Sequence, residues 1–266
     1  MSISFCSFAS GSTGNCYMVK SDTTIILIDV GISGKKIFEA LAQNDLDIEN
    51  VNGVLITHEH SDHIKSVRIV SKKAENAKVY ASRGTWKAIE NLVSEPQKVV
   101  IENRDGFYIG DIFVKPFHLS HDAAEPIGYT LEKDNKRITI ATDTGCITDE
   151  IFEQLYMADL IVIEANHEVN ILRMGSYPYN TQQRILSDYG HLSNVTTGEC
   201  LCKVLQEKDS ETTLQVILAH MSRENNTPAQ AYLTIKNILQ ENDFYIDKDL
   251  ILDIITKDQI SPLFSM

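Results

Sequence analysis

The chain has 266 residues, of which 24 are Lys or Arg and 37 are Asp or Glu, so its formal net charge is −13. Apolar residues make up 43% and charged residues 23%, which is an ordinary globular composition and excludes a disordered, collagen-like or disulfide-stapled chain. The acidic balance also excludes a protein that holds polyanions by bulk charge alone.

The cysteines and the N-terminus indicate where the protein works. The 5 cysteines are an odd number without a CxxC pair, which fits reduced thiols better than a disulfide framework. No basic residue precedes Lys20, and no apolar run is long enough for a signal peptide or a membrane span. We therefore expect a cytoplasmic protein with no membrane partner and no obligate protein partner.

Short β-branched runs alternate with amphipathic segments along the chain. The first part predicts strands at 3–9, 16–20 and 24–30, a helix at 33–44, a strand at 51–57, a helix at 63–74, a strand at 78–81, a helix at 85–92, a strand at 98–101 and antiparallel strands within 107–139, with a hairpin turn at 134–135. The second part predicts a strand at 137–141, a helix at 149–157, a strand at 159–164, helices at 180–189 and 194–206, a strand at 213–219, a helix at 228–239 with Thr227 as its cap, and a strand at 250–255. Strands mixed with outer helices indicate a layered α/β architecture.

The strongest local pattern is THEHSDH at residues 57–63, directly after an apolar strand. Residues two apart on an extended chain share a side, so His58 and His60 face the same way. If a helix begins near Asp62, then Asp62 and His63 turn toward the same region. Imidazole nitrogen and carboxylate oxygen together suit Zn²⁺, Mn²⁺ or Fe. A solvated histidine-rich loop explains this density of ligands less well than a site for two adjacent divalent ions.

With HxHxDH after a strand, the sequence resembles the metallo-β-lactamase superfamily. Further positions match the family pattern in chain order: Asp29, followed by Gly31, then His121, Asp143 and His220. The resemblance covers essentially the whole chain and implies a single domain, 1–266, with pseudo-halves at about 1–135 and 136–266. The implied fold is a four-layer αββα sandwich, in which two sheets lie face to face with helices outside.

The resemblance also implies the ligand set. His58, His60 and His121 would hold one divalent ion, and Asp62, His63 and His220 would hold a second. Asp143 would be shared by both ions, and Asp29 would support the ligands without binding metal. The implied ions are Zn²⁺ or Mn²⁺, with Fe as a third candidate.

A closer resemblance is to the WalJ/YycJ/VicX branch of this superfamily. The matching segments are SGSTGN at 10–15, DVGISGKK at 29–36, GTW at 84–86, SHDAAEP at 120–126, EANH at 164–167, GHLSN at 190–194 and AHMSRENN at 219–226. Members of the branch are regarded as metal-dependent nucleases with a 5′-to-3′ exonuclease activity linked to DNA repair. The resemblance therefore implies a hydrolase in which a metal-bridging hydroxide attacks a phosphodiester at a DNA end.

The same segments supply candidates for further roles. Asp62 and His191 are predicted to act in catalysis, with His191 donating a proton to the leaving oxygen. Glu164 and His167 are predicted to orient ligand residues through hydrogen bonds. The predicted substrate contacts are Asn15, Ser193, Arg173 and Arg184.

Two other functions stay open on the sequence. One is hydrolysis of a small molecule on the same metals: a cyclic phosphodiester, a thioester or a lactone. The other is a metal-loaded regulatory protein without turnover, which is disfavoured because every ligand position is filled by a competent residue. A substrate panel run with Zn²⁺ and with Mn²⁺ separates these functions.

Overall fold

The computed structural model describes residues 3–102, 105–208, 213–256 and 259–266. The chain divides into two compact units. The first unit comprises Met1–Phe117, Ala123–Lys136 and Lys257–Met266, and the second comprises His118–Asp122 and Arg137–Thr256. The single domain expected from the sequence stays a prediction. Among the described residues, no helix has the length and apolar character that crossing a membrane requires.

Strands and helices both occur throughout the described residues. In order they are β1 (Ser4–Ala9), β2 (Cys16–Lys20), β3 (Ile25–Ile28), α1 (Gly34–Gln43), β4 (Gly53–Leu55), α2 (Ser61–Ile64), α3 (Val67–Lys73), β5 (Lys78–Ser82), α4 (Arg83–Ile89), β6 (Lys98–Ile101), β7 (Phe107–Ile109), β8 (Ile112–His118), β9 (Ile127–Lys133), β10 (Lys136–Ala141), α5 (Asp149–Tyr156), β11 (Leu160–Glu164), α6 (Val169–Met174), α7 (Tyr179–Ile185), α8 (Asn194–Glu207), β12 (Leu214–Ala219), α9 (Pro228–Glu241), β13 (Leu250–Ile254) and β14 (Phe264–Ser265). Single 3-10 turns lie at Ile48–Asn50, Glu90–Leu92 and Glu95–Gln97.

The first unit is built on a sheet with the strand order β14-β1-β2-β3-β4-β5-β6. Its neighbours are antiparallel from β14 to β3 and parallel from β3 to β6. Helices α1, α3 and α4 cover this sheet with buried apolar side chains such as Ile37, Val70 and Ile89, which join one hydrophobic cluster with the strands. Strands β7 and β8 form an antiparallel pair in the same unit.

The second unit contains the parallel neighbours β10, β11, β12 and β13. Strand β11 is buried along its whole length, which is typical of a parallel strand covered on both faces. Helices α8 and α9 approach closely at Gly198, where an added Cβ would lie 2.9 Å from the Ile238 side chain. Thr227 caps α9 through its side chain and Pro228 follows it, as predicted.

Two helix predictions were wrong at their boundaries. The helix predicted at 63–74 is broken between α2 and α3, because the Ser66 backbone N–H donates to the Val30 carbonyl and the Ser66 hydroxyl donates to the Ile32 carbonyl. The helix predicted at 180–189 is α7 and ends at Ile185. There the chain turns back, and the Ile185 carbonyl accepts from the His191 backbone N–H. The short elements α6 and β14 were not predicted.

Three of the parallel strands are followed by a residue in the left-handed region. Asp29 (φ 57°) follows β3, Asp143 (φ 61°) lies two residues beyond β10, and His220 (φ 50°) follows β12. A non-glycine residue with such a φ costs about 1–3 kcal/mol, and such residues cluster at functional sites. All three are positions of the superfamily pattern found in the sequence: two predicted ligands, Asp143 and His220, and the supporting Asp29.

Candidate metal-binding residues

The loop between β4 and α2 brings three imidazole rings of the first unit together. The ring centroid of His58 lies 4.6 Å from that of His60 and 4.0 Å from that of His63. His58 and His63 are fully buried, whereas His60 and Asp62 keep partial exposure. The cluster is therefore a packed arrangement of candidate ligands and not a solvated loop.

Asp29 and Thr57 fix the orientation of the two buried rings. Asp29 Oδ2 accepts from His63 Nδ1 (2.7 Å) and from Thr57 Oγ1 (2.8 Å), and Asp29 Oδ1 accepts from the Thr57 N–H (2.9 Å). Because the Thr57 hydroxyl proton points to Asp29, its oxygen accepts from His58 Nδ1 at 3.0 Å. Both rings thus carry their proton on Nδ1, which leaves the lone pair of Nε2 to bind a metal.

Asn15 lies on the opposite side of His63. Its Nδ2 is 3.0 Å from His63 Nε2 and 3.4 Å from Asp62 Oδ2, and its Oδ1 accepts from the Gly11 N–H at 2.9 Å. The side chain is fully buried. Donation to His63 Nε2 agrees with a proton on Nδ1, and a metal bound at Nε2 would replace this hydrogen bond. The Nδ2 end of the Asn15 amide therefore contacts two candidate ligands while its Oδ1 end is held by Gly11, and its contact with substrate stays a prediction.

A close approach to the backbone of Asp62 explains why residue 31, two positions after Asp29, is glycine. A Cβ at this position would lie 1.5 Å from the Asp62 carbonyl oxygen. That same oxygen accepts from the Asn15 backbone N–H at 2.8 Å. Only glycine lets the strand end approach the Asp62 backbone this closely.

Glu164 organises the histidines of the second unit. Its Oε1 accepts from His191 Nδ1 (2.7 Å) and from His220 Nδ1 (2.9 Å), while Oε2 accepts from the Thr144 N–H (3.1 Å). Burial alone would raise the pKa of this carboxyl, but the charge and hydrogen bond of His191, followed by those of His220, lower it. Burial in turn disfavours the charged form of His191, yet Glu164 and then Asp143 raise its pKa.

Asp143 lies among three histidines of this unit. Its Oδ1 is 3.5 Å from His220 Nδ1 and 3.8 Å from both His191 Nδ1 and His121 Nε2. His121 Nδ1 lies 3.0 Å from the Gly190 carbonyl, so its proton also points away from Nε2. Burial lowers the pKa of His121, against the effect of Asp143, and so favours the neutral form that binds metals. Asp143, Glu164, His191 and His220 each offer a ligand atom within 4.8 Å of the others.

The remaining predicted residues occupy different environments in the second unit. The Ser193 side chain caps α8 by accepting from the Thr196 N–H at 3.1 Å. Arg173 is exposed on α6, and Arg184 pairs with Asp122 at 2.6 Å. His167 is buried, and neither of its ring nitrogens has a hydrogen-bond partner within the described ranges. Burial lowers the pKa of His167 to about 4, and its predicted contact with a ligand stays a prediction.

Sequence reasoning missed two residues that touch the ligands. Thr57 links Asp29 to His58, and its only local signal was its place directly before the first histidine. Asp122 lies next to His121 in the chain, and its Oδ1 is 3.3 Å from His121 Nε2. Thr57 could not be assigned without knowing that it faces Asp29, 28 positions away, and the side-chain direction of Asp122 is not fixed by its place next to His121.

Comparison with known proteins covers almost the entire chain. Residues 24–220 match the family model described as the beta-lactamase superfamily domain. Exodeoxyribonuclease YycJ of Bacillus anthracis is 38% identical over 92% of this chain and 92% of its own length, and exodeoxyribonuclease WalJ of Streptococcus pneumoniae is 39% identical over 96% and 95%. The metallo-beta-lactamase fold protein YhfI from Bacillus subtilis superposes with a TM-score of 0.72 over 99% of this chain and 100% of its own, at 13% identity. The predicted fold class is thereby confirmed.

Proposed function

The chain belongs to the beta-lactamase superfamily, and on this basis we propose that it is a divalent-metal-dependent phosphodiesterase that degrades DNA from an end. The relatives named exodeoxyribonuclease, at 38% and 39% identity over most of their length, support a nuclease over other hydrolases. A DNA substrate also favours the cytoplasmic location expected from the cysteines.

The observation that carries the proposal is that four histidines have the same hydrogen-bonding pattern. His58, His63, His121 and His220 each direct Nδ1 at an acceptor of the protein. That arrangement is what metal-binding histidines need, because it fixes the tautomer and the ring while Nε2 keeps its lone pair. A cluster in which some rings carried the proton on Nε2, or directed Nδ1 at solvent, would not present its lone pairs to a metal in this way.

We assign the metal ligands by unit. His58, His60, Asp62 and His63 would serve from the first unit, and His121, Asp143 and His220 from the second. Two ions, Zn²⁺ or Mn²⁺, match this number of imidazole and carboxylate donors. Bound divalent ions supply Lewis acidity, an acidified water and neutralisation of charge on the phosphoryl group.

His191 is the proton donor in this proposal. Its Nδ1–H is held by Glu164, and about 15% of its side chain remains accessible, so Nε2 can reach a substrate atom that the buried histidines cannot. Proton transfer of this kind contributes about 10²–10⁴-fold in rate. Asp62 would join catalysis through its place among the ligands, as the sequence predicts.

The substrate proposed is single-stranded or end-accessible DNA, digested in the 5′-to-3′ direction. With a net charge of −13, the protein has no excess of cations to hold a duplex along its length. Binding is therefore expected to depend on the metals and on a local surface, and to weaken as salt is added.

The test is a substrate panel on purified, metal-replete protein with Mn²⁺ and with Zn²⁺. It contains 5′-phosphorylated single-stranded DNA, the same sequence as RNA, a cyclic phosphodiester and a thioester. We expect the DNA to be shortened from its 5′ end, and we expect Asp143→Asn to abolish this because the carboxylate becomes an amide. Asp134→Asn is the matched control, since Asp134 is also an Asp with positive φ and lies outside the ligand pattern.

Two results would contradict the proposal. If DNA and RNA stay intact while the cyclic phosphodiester or the thioester is hydrolysed, the protein is a small-molecule hydrolase. If no substrate is turned over although the metals bind, it is a regulatory metal protein.

A further inference from the structure

Residues 169–187, here called the 169–187 segment, carry a positive formal charge. They contain no Asp or Glu and two Arg, Arg173 and Arg184, in a protein of net charge −13. The segment comprises α6, α7 and the residues around them. The carboxylates next to the segment are those of Glu168 and Asp188 at its two ends and that of Asp122, which pairs with Arg184.

The segment also exposes large apolar and aromatic side chains. Met174 is 88% exposed and Tyr179 is 72% exposed, and Tyr189, just beyond the segment, is 63% exposed. The inward contacts are made instead by Leu172 and Ile185, which are buried. The exposed side chains of Met174, Tyr179 and Tyr189 are accessible to a binding partner.

The end of the segment is attached to the histidines of the second unit. The Ile185 carbonyl accepts from the His191 N–H at 3.0 Å, and the Gly190 carbonyl lies 3.0 Å from His121 Nδ1. Gly190 must be glycine here, because a Cβ would lie 2.2 Å from the Ile185 carbonyl oxygen. The C-terminal end of the segment is therefore fixed next to the chain that carries His191 and contacts His121.

Resting on the proposed function, we propose that the 169–187 segment together with Tyr189 binds the single strand of the DNA substrate and guides it to the reacting residues. Tyr179 and Tyr189 offer exposed ring faces on which unpaired bases stack, and Arg173 offers an exposed cation for a phosphate. Arg184 is already paired with Asp122 and serves to hold the segment to the chain next to His121. In a duplex the faces of the bases are covered by neighbouring base pairs and cannot stack on tyrosine rings. The occupant is therefore single-stranded DNA.

The test separates strand binding from bond cleavage by using two phosphodiesters. One is a 5′-phosphorylated single-stranded oligothymidylate, and the other is the p-nitrophenyl ester of thymidine 5′-phosphate, which has no strand to lie on the segment. For Tyr179→Ala we expect KM for the oligonucleotide to rise about tenfold, the loss of one stacked base, with kcat unchanged. The rate on the nucleotide ester is measured in parallel, and thermal melting checks the fold.

Arg173→Gln gives a second, independent readout. Removal of one phosphate contact should make the slope of log affinity against log salt concentration less steep by about 0.7, measured by fluorescence anisotropy of the labelled oligonucleotide. Tyr108→Ala is the control variant, because Tyr108 is 70% exposed on β7 of the first unit, outside the segment. It should change neither KM nor the salt slope.

Each contrary outcome has one meaning. If the wild type degrades the oligonucleotide but Tyr179→Ala and Arg173→Gln leave KM and the salt slope unchanged, the inference is overturned and the proposed function stands. The same holds if the variants change only the oligomeric state in solution, because the surface is then an interface between copies. If the wild type neither binds nor degrades the oligonucleotide, the proposed function fails and the inference fails with it.

Discussion

Asp29 reaches both buried histidines of the first unit from a single position. It accepts directly from His63 and acts on His58 through the Thr57 hydroxyl. Its positive φ of 57° turns the chain out of β3 so that the carboxylate lies behind the rings. The tautomers of two candidate ligands therefore depend on one carboxylate, which is predicted to support them without binding metal.

Asp29→Asn should weaken divalent-metal binding by about 10–100-fold, the range for partners that orient metal-binding histidines. An amide keeps one acceptor oxygen, so its NH2 group faces either the Thr57 N–H or the Thr57 hydroxyl and His63 Nδ1, all of which already donate. Asparagine tolerates the left-handed backbone. The affinity is measured by competition with a chromophoric chelator. The control is Asp45→Asn at an exposed aspartate with φ 56°. Equal metal affinity in both variants would contradict this role of Asp29.

Helix α8 shows how an element next to the ligands is held in place. Its N-cap Ser193 accepts from the Thr196 N–H, and one turn later the Thr197 hydroxyl donates to the Glu164 carbonyl at 2.6 Å. The helix start is thereby tied to the end of β11, where Glu164 accepts from His191 and His220. Residues 193–197 therefore both cap the helix and hold Glu164, the acceptor for His191 and His220.

Ser193→Ala should lower the free energy of unfolding by about 1 kcal/mol, because the Thr196 N–H loses its acceptor. Ser193→Thr keeps a hydroxyl and should restore most of this loss, and urea denaturation measures both. Ser33→Ala is the comparison, since the cap of α1 is longer at 3.4 Å and exposed, and we expect a smaller loss there. Unchanged stability with a raised KM for DNA would instead make Ser193 a substrate contact, as predicted from the sequence.

At the scale of the whole molecule, three carboxylates of this acidic chain are buried. Asp29, Asp143 and Glu164 are at most 2% exposed, in a protein of net charge −13. Burying a charge is costly unless a partner offsets it. The histidines supply part of that compensation, and divalent cations would supply the rest.

Removal of divalent metals by a chelator should therefore lower the melting temperature by several degrees. Metal added back at about 100 times its dissociation constant should restore about 2.7 kcal/mol. Differential scanning calorimetry with and without Mn²⁺ or Zn²⁺ measures the shift. In Asp143→Asn the shift should be much smaller, because one ligand is lost. A melting temperature indifferent to chelation in the active protein would contradict the assignment of the ligands.

The sequence predicted much of this protein because its strongest patterns are local. Apolar runs predicted most strands, the THEHSDH heptapeptide predicted the candidate ligands of the first unit, the Asp-Asn pair at 134–135 predicted a turn, and the Thr-Pro pair at 227–228 predicted a helix cap. These patterns depend on neighbours within a few positions, so they can be interpreted before the chain is folded. Asp143 and His220 needed the family resemblance as well, since a polar residue after a strand is not specific alone.

Other features depended on residues far apart in the chain. The break at Ser66 results from carbonyls at Val30 and Ile32, and the hydrogen bond from His191 to Glu164 joins residues 27 positions apart. The sequence by itself determined which side chains could bind a metal and on which strands they end. Only the tertiary structure decided which nitrogen of each ring carries the proton, because that depends on an acceptor brought into place by the packing of distant elements.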